Sequence, residues 1–179
     1  MTTSPVRDAN LSVFDYVWGR FRDRLGGITD VECWWEPAAG ALTVRRLPDG
    51  RHRADPQVWE ADVQPMSSIA WRLCHIIDCL SAERCATWLW LPWDPRFDSK
   101  RTGDPVTAAD LGKSLDDSYA FWRSNVAKLD DAALWEPMGP IAGEYATDSK
   151  HAFVLHILDE IIHHGAEVGM MRDFYRETR

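Results

Sequence analysis

The sequence has no Cys-x-x-Cys pair, no apolar run approaching the roughly 20 residues of a membrane-spanning helix, and no surplus of basic charge. Each absence excludes a class. Its four cysteines, Cys33, Cys74, Cys79 and Cys85, are spaced for neither a zinc ribbon nor a thioredoxin-type dithiol. Three of them fall in or near one apolar segment, where free cysteine behaves as a small buried hydrophobe. With 20 Lys and Arg against 28 Asp and Glu, and a net charge of -8, the chain lacks the clustered cations that phosphate backbones require. No nucleic-acid partner and no membrane partner are therefore expected. The basic run Arg45, Arg46, Arg51, His52, Arg53 is interrupted by Pro48, Asp49 and Gly50 and reads as a loop. The start Met-Thr-Thr-Ser-Pro-Val-Arg-Asp has no signal-peptide core, which points to the cytoplasm. No internal repeat or low-complexity tract divides the chain, and 179 residues suit one domain with a core that needs neither disulfide nor structural metal.

What the sequence does have is tryptophan and helical periodicity. Ten tryptophans, each a large apolar body with one N–H to satisfy, imply a deep core or an aromatic pocket. Apolar residues recur at three- and four-residue steps in four segments. The first runs from about Leu11 to Leu25, with Asn10 as its cap and Gly26-Gly27 as its stop. The second runs from about Ser67 to Trp88 or Leu91 and is closed by Pro92, and the third runs from Ala108 to Leu129 behind Thr107. The fourth begins at Asp148 or Ser149 and continues to about Tyr175. These lengths predict an all-α fold, a four-helix bundle with a long insertion, Thr29 to Pro65, between the first two helices. Within the insertion, Ala41 to Arg45 reads as a short strand that Asp49-Gly50 turns toward Trp59.

The chemistry concentrates in the fourth helix, in His-Ile-Leu-Asp-Glu-Ile-Ile-His-His-Gly-Ala-Glu, residues 156 to 167. Residues four apart share a helix face, so His156, Glu160 and His164 form one row and Asp159, His163 and Glu167 a second. A bundle metal site needs ligands from at least two helices. The second helix offers His75, set in the apolar run Ile69 to Ile77, with Cys79 one turn further on the same face. Two imidazoles and a carboxylate would suit a divalent ion with an open position. A Glu–His pair four apart is also a common surface pair worth a few tenths of a kcal/mol, so spacing alone leaves the metal reading and the choice of row open. Asp78 and Cys79 are the residues placed to support a ligating His75, Asp78 being the better acceptor. Arg72 and Arg172, on the same two helices, could hold a substrate carboxylate or make inter-helix ion pairs.

Ser-Ile-Ala-Trp-Arg-Leu ahead of His75, His-His-Gly at residues 163 to 165, and Trp34-Trp35-Glu36-Pro37 after the first helix resemble the DinB-like superfamily of four-helix metalloproteins. The resemblance spans Asn10 to Tyr175 and includes the mycothiol-dependent maleylpyruvate isomerase and thiol S-transferase branches. It implies metal ligands at His75, Glu160 and His164, and Glu at position 160 matches the isomerase-like branch, where many other members have His. It further implies a divalent metal, zinc first with nickel or iron also compatible, and a low-molecular-weight thiol co-substrate acting on a small-molecule substrate. A thiol transferase or thiol-dependent isomerase is the leading reading. A metal-dependent hydrolase and a non-catalytic, stress-associated bundle that binds metal or ligand remain alternatives, and a homodimer formed through a helix face is compatible with any of the three.

Overall fold

The computed structural model describes residues 4–58, 62–63, 65–98 and 103–179. The chain is mostly helical, with helices α1 (Pro5–Arg24), α2 (Asp30–Cys33), α3 (Ile69–Ser81), α4 (Arg84–Thr87), α5 (Ala108–Ala127), α6 (Asp131–Trp135) and α7 (Lys150–Thr178). Two short strands, β1 (Val44–Arg46) and β2 (His52–Ala54), pair antiparallel, and 3₁₀ turns cover Pro95–Phe97 and Pro140–Tyr145. The long helices pack in a connected set: α3 lies against α5 and α7, and α1 lies against the same two. No helix among the described residues is long and apolar enough to cross a membrane.

Helix ends follow local caps where the cap is local. Thr107 and Ser149 each accept a hydrogen bond from the backbone N–H three residues on, opening α5 and α7 as their sequences predict. α1 departs from expectation. It begins at Pro5 rather than at Leu11, so Asn10 lies inside the helix and not at its cap. Proline suits the first helical position because the missing N–H would have had no partner there. The next two backbone N–H groups, of Val6 and Arg7, donate at 3.1 Å to the two carboxylate oxygens of Asp131 on α6. A capping residue from another helix leaves no trace next to the helix it caps.

The second predicted helix is also corrected: α3 ends at Ser81, Ala82 turns to an extended conformation (φ −56°, ψ 157°), and only the four-residue α4 follows. Side chains take up the carbonyls released by the break. The Trp93 indole N–H donates to the Ser81 carbonyl at 2.9 Å, and the Cys85 thiol donates to the Cys79 carbonyl at 2.9 Å. The basic run is not simply a loop, since Arg45 and Arg46 lie in β1 and His52 and Arg53 in β2, with Gly50 supplying the positive φ (85°) of the turn. The strand expected at Ala41 to Arg45 is displaced toward Arg46, and Trp59, its expected neighbour, lies outside the described residues.

The core is aromatic at its centre. Trp18 of α1 stacks on Tyr119 of α5 at 4.3 Å, and Trp122 of α5 meets Phe14 of α1 and Phe153 of α7. α1 and α7 come close at Gly165, where a Cβ would stand 3.2 Å from the ring of the buried Phe21. Gly165→Val is expected to destabilise the fold by about 1–3 kcal/mol through overpacking, read as a lowered urea midpoint at unchanged slope.

Candidate metal centre

α3 and α7 pack along their length, and a cluster of His, Glu and Cys side chains lies between them. His75 stands on α3 with its ring parallel to that of Trp71 one turn earlier, 5.6 Å between centroids, while the Trp71 indole N–H is tied to the Asp55 carbonyl at 2.7 Å. The ring is thus backed by a side chain that is itself fixed to the insertion. From α7, the Oε2 atom of Glu160 lies 3.3 Å from His75 Nε2 and 3.0 Å from His164 Nε2. The two imidazoles meet edge-on, 4.5 Å between centroids. The three residues named from the sequence are therefore brought together, and one carboxylate oxygen sits between two ring nitrogens.

The Cys79 Sγ atom lies 3.6 Å from His75 Nε2 and 3.6 Å from Glu160 Oε2. Among the described residues, two groups of three have their donor atoms within 4.8 Å of one another: His75, Cys79 and Glu160, and His163, His164 and Glu167. Glu160 links the groups through His164.

The electrostatics follow from this packing. Hydrogen bonds from His164 and then His75 hold the Glu160 carboxyl far below the usual carboxylate range, against the opposing effect of burial. Burial works against the His164 imidazolium, but hydrogen bonds to Glu160 and Glu167 outweigh it and raise the His164 pKa above its ordinary value. Burial, reinforced by the Glu160 carboxylate, pushes the Cys79 thiol well up.

Glu167 has a part that the sequence did not disclose. Its Oε2 accepts from His164 Nδ1 at 2.7 Å and fixes the ring with Nε2 facing Glu160. The i, i+3 spacing to His164 was the available signal. Arg72 stands behind it, with Nε 3.0 Å from Glu167 Oε2 by distance, although that N–H is not aimed at the oxygen. Asp78, expected to support His75, makes no hydrogen bond to it among the described residues and is exposed. Of the second row, Asp159 is exposed and His163 projects to solvent, reaching Glu167 at 3.3 Å. His156 is also at the edge, 3.6 Å from Glu160 Oε1. Arg172 is nowhere near this cluster, being buried against Glu32.

A family model described as the DinB superfamily matches residues 14–168. The chain belongs to the DinB superfamily. Comparison with curated proteins and with solved structures gives no match. His75, Cys79 and Glu160 have donor atoms close enough together to hold a divalent ion, and His164 reaches the same Glu160 oxygen, so the residues of this DinB-superfamily chain fit a bound metal. Glu160 gives the set a charge that a third imidazole would not.

Next to the centre, a pocket of about 260 Å³ is lined by Arg84, Trp88, Tyr145, Asp148, Phe153 and His156, among others. The Arg84 guanidinium lies over the Trp88 and Phe153 rings, at 5.7 and 5.8 Å. His156 thus borders the pocket and also approaches Glu160.

Proposed function

We propose that His75, Glu160 and His164 hold one divalent metal ion, zinc before nickel or iron, and that the protein is a metal-dependent thiol S-transferase or thiol-dependent isomerase. The observation that carries the metal is the single Glu160 oxygen set within 3.3 Å of one Nε2 and 3.0 Å of another, on two different helices. Membership of the DinB superfamily supports the same assignment, and the resemblance to its mycothiol-using branches points to the thiol. On this reading the four long helices are the family's bundle and make one domain.

A divalent ion bound there would keep a small thiol deprotonated near neutral pH, making it nucleophilic without a dedicated base. The remaining work falls to the chain's own groups. Glu167 keeps the His164 proton on Nδ1 and so leaves Nε2 to face inward. Trp71 limits rotation of the His75 ring by stacking. The aromatic walls of the neighbouring pocket take the apolar part of a small substrate, and Arg84 supplies a positive charge for an anionic one. His156, at the border, is placed to pass a proton between pocket and solvent.

Protein purified without chelator or a metal-affinity tag should carry about one equivalent of metal by elemental analysis. His75→Ala, Glu160→Ala and His164→Ala should each lower metal affinity by more than the roughly 10- to 100-fold typical of losing an outer partner. Thiol-conjugation turnover should fall with it. Metal-free protein, or turnover indifferent to His75→Ala, would overturn the assignment, and turnover that persists in buffer without thiol would identify metal-assisted hydrolysis instead.

A further inference from the structure

We propose that Cys79 is a fourth protein ligand of this centre, so that the resting site is closed by a thiolate from the chain itself. The inference rests on the metal assignment above and adds to it a residue that the three-ligand reading leaves aside. Cys79 stands one helical turn after His75 on α3, and its side chain is turned to the same side, toward Glu160 of α7. It is 2% exposed.

The argument is metric. Zn–N, Zn–O and Zn–S bonds of about 2.0–2.3 Å at a tetrahedral angle place donor atoms roughly 3.3–3.7 Å apart. The edges of the triangle formed by His75 Nε2, Glu160 Oε2 and Cys79 Sγ measure 3.3, 3.6 and 3.6 Å. All three match the edges of one tetrahedral face; His164 Nε2, at 3.0 Å from the same Glu160 oxygen, lies outside this group of donors and would have to draw in to make the fourth vertex. Hydrogen bonding uses the same atoms, the thiol donating to Glu160 Oε2 and its sulfur facing His75 Nε2, so it is the match to tetrahedral edge lengths that points to a metal. The other cysteines show no such arrangement: Cys85 donates to the Cys79 carbonyl, and Cys33 and Cys74 are packed in the apolar core.

Coordination by Cys79 breaks its S–H bond, forms a sulfur–metal bond, and releases the proton to solvent, with no change in oxidation state. With His164 drawn in to the ion, two imidazoles, one carboxylate and one thiolate would complete four-coordination, the thiolate adding a soft donor that favours zinc-like ions over magnesium or calcium. An external thiol can then reach the ion only by displacing Cys79 or by raising the coordination number to five. The chain would carry its own competitor for the thiol position.

Cobalt(II) is the probe. Chelator-stripped protein titrated with cobalt should develop the visible bands of a four-coordinate ion together with an intense near-ultraviolet sulfur-to-cobalt charge-transfer band. Cys79→Ser should still bind one equivalent with the charge-transfer band lost, whereas Cys74→Ser should keep it. X-ray absorption at the cobalt edge of the wild-type protein counts sulfur neighbours without any variant and should find one. Cobalt bound at one equivalent with no sulfur neighbour would overturn the role of Cys79 and leave the three-ligand assignment standing. A failure of wild-type protein to bind cobalt or zinc at all would overturn both.

Discussion

Arg172→Met is expected to cost the fold about 3–5 kcal/mol, measured as the loss in unfolding free energy in urea, because it leaves an unpaired carboxylate inside the protein. Arg172 and Glu32 are both almost fully buried. The guanidinium grips the carboxylate at two points, Nε to Oε1 at 2.6 Å and Nη2 to Oε2 at 3.1 Å, which is the fork geometry that makes Arg–carboxylate pairs strong. Its third nitrogen, Nη1, donates to the carbonyls of Arg24 and Gly26 where α1 ends. Methionine fills much of the volume but satisfies none of these acceptors. With a domain stability of order 10 kcal/mol, such a loss is a large fraction of the whole. Replacing both partners, Glu32→Leu with Arg172→Met, should cost less than Arg172→Met alone, since no buried charge remains. A double variant as unstable as the single one would show that the α1 carbonyls, rather than Glu32, depend on Arg172.

Trp122→Ala should be comparably damaging, about 3–5 kcal/mol, because it opens a cavity where three long helices meet. Its side chain is fully buried, with the Phe153 ring at 5.7 Å edge-on and the Phe14 ring at 6.0 Å. Its indole N–H has no hydrogen-bond partner among the described residues. That detail separates two variants. Trp122→Phe keeps most of the aromatic volume and removes an unpaired donor, so it should stay within about 1.5 kcal/mol of the parent. Thermal unfolding of the two variants side by side decides the matter, and equal losses would mean that the N–H contributes something its surroundings do not reveal.

Local signals in the sequence carried α5 and α7 almost to the residue, because Thr107 and Ser149 cap the helices they adjoin. They failed where the deciding contact comes from elsewhere in the chain. The start of α1 depends on Asp131, more than 120 positions away, and the break after Ser81 is accommodated by Trp93 and Cys85. Apolar periodicity alone runs straight through such a break. The row of His156, Glu160 and His164 was legible because i, i+4 spacing is a property of one helix, and His75 stood out by its apolar setting, while the choice between the two rows came from the family resemblance. The division of labour around that row was not. Glu167 and Asp78 are both acidic residues one turn from a named histidine, yet only Glu167 touches its histidine. Arg72 and Arg172 were likewise equivalent on paper, and packing sends the first to the His–Glu cluster between α3 and α7 and the second to a buried pair with Glu32.

The separation of 140 positions between Glu32 and Arg172 has a meaning for synthesis. At about 5–20 residues per second, the glutamate leaves the peptidyl-transferase centre on the order of 7–28 s before its arginine is made. Throughout that interval Glu32 has no counter-charge, the carbonyls of Arg24 and Gly26 have only water to bond, and the surface of α1 that will meet α7 stays open. Nascent chains interrupted before residue 172 should therefore be the ones that chaperones hold and proteases find, and completion of α7 should mark the point at which the newborn protein becomes resistant to both.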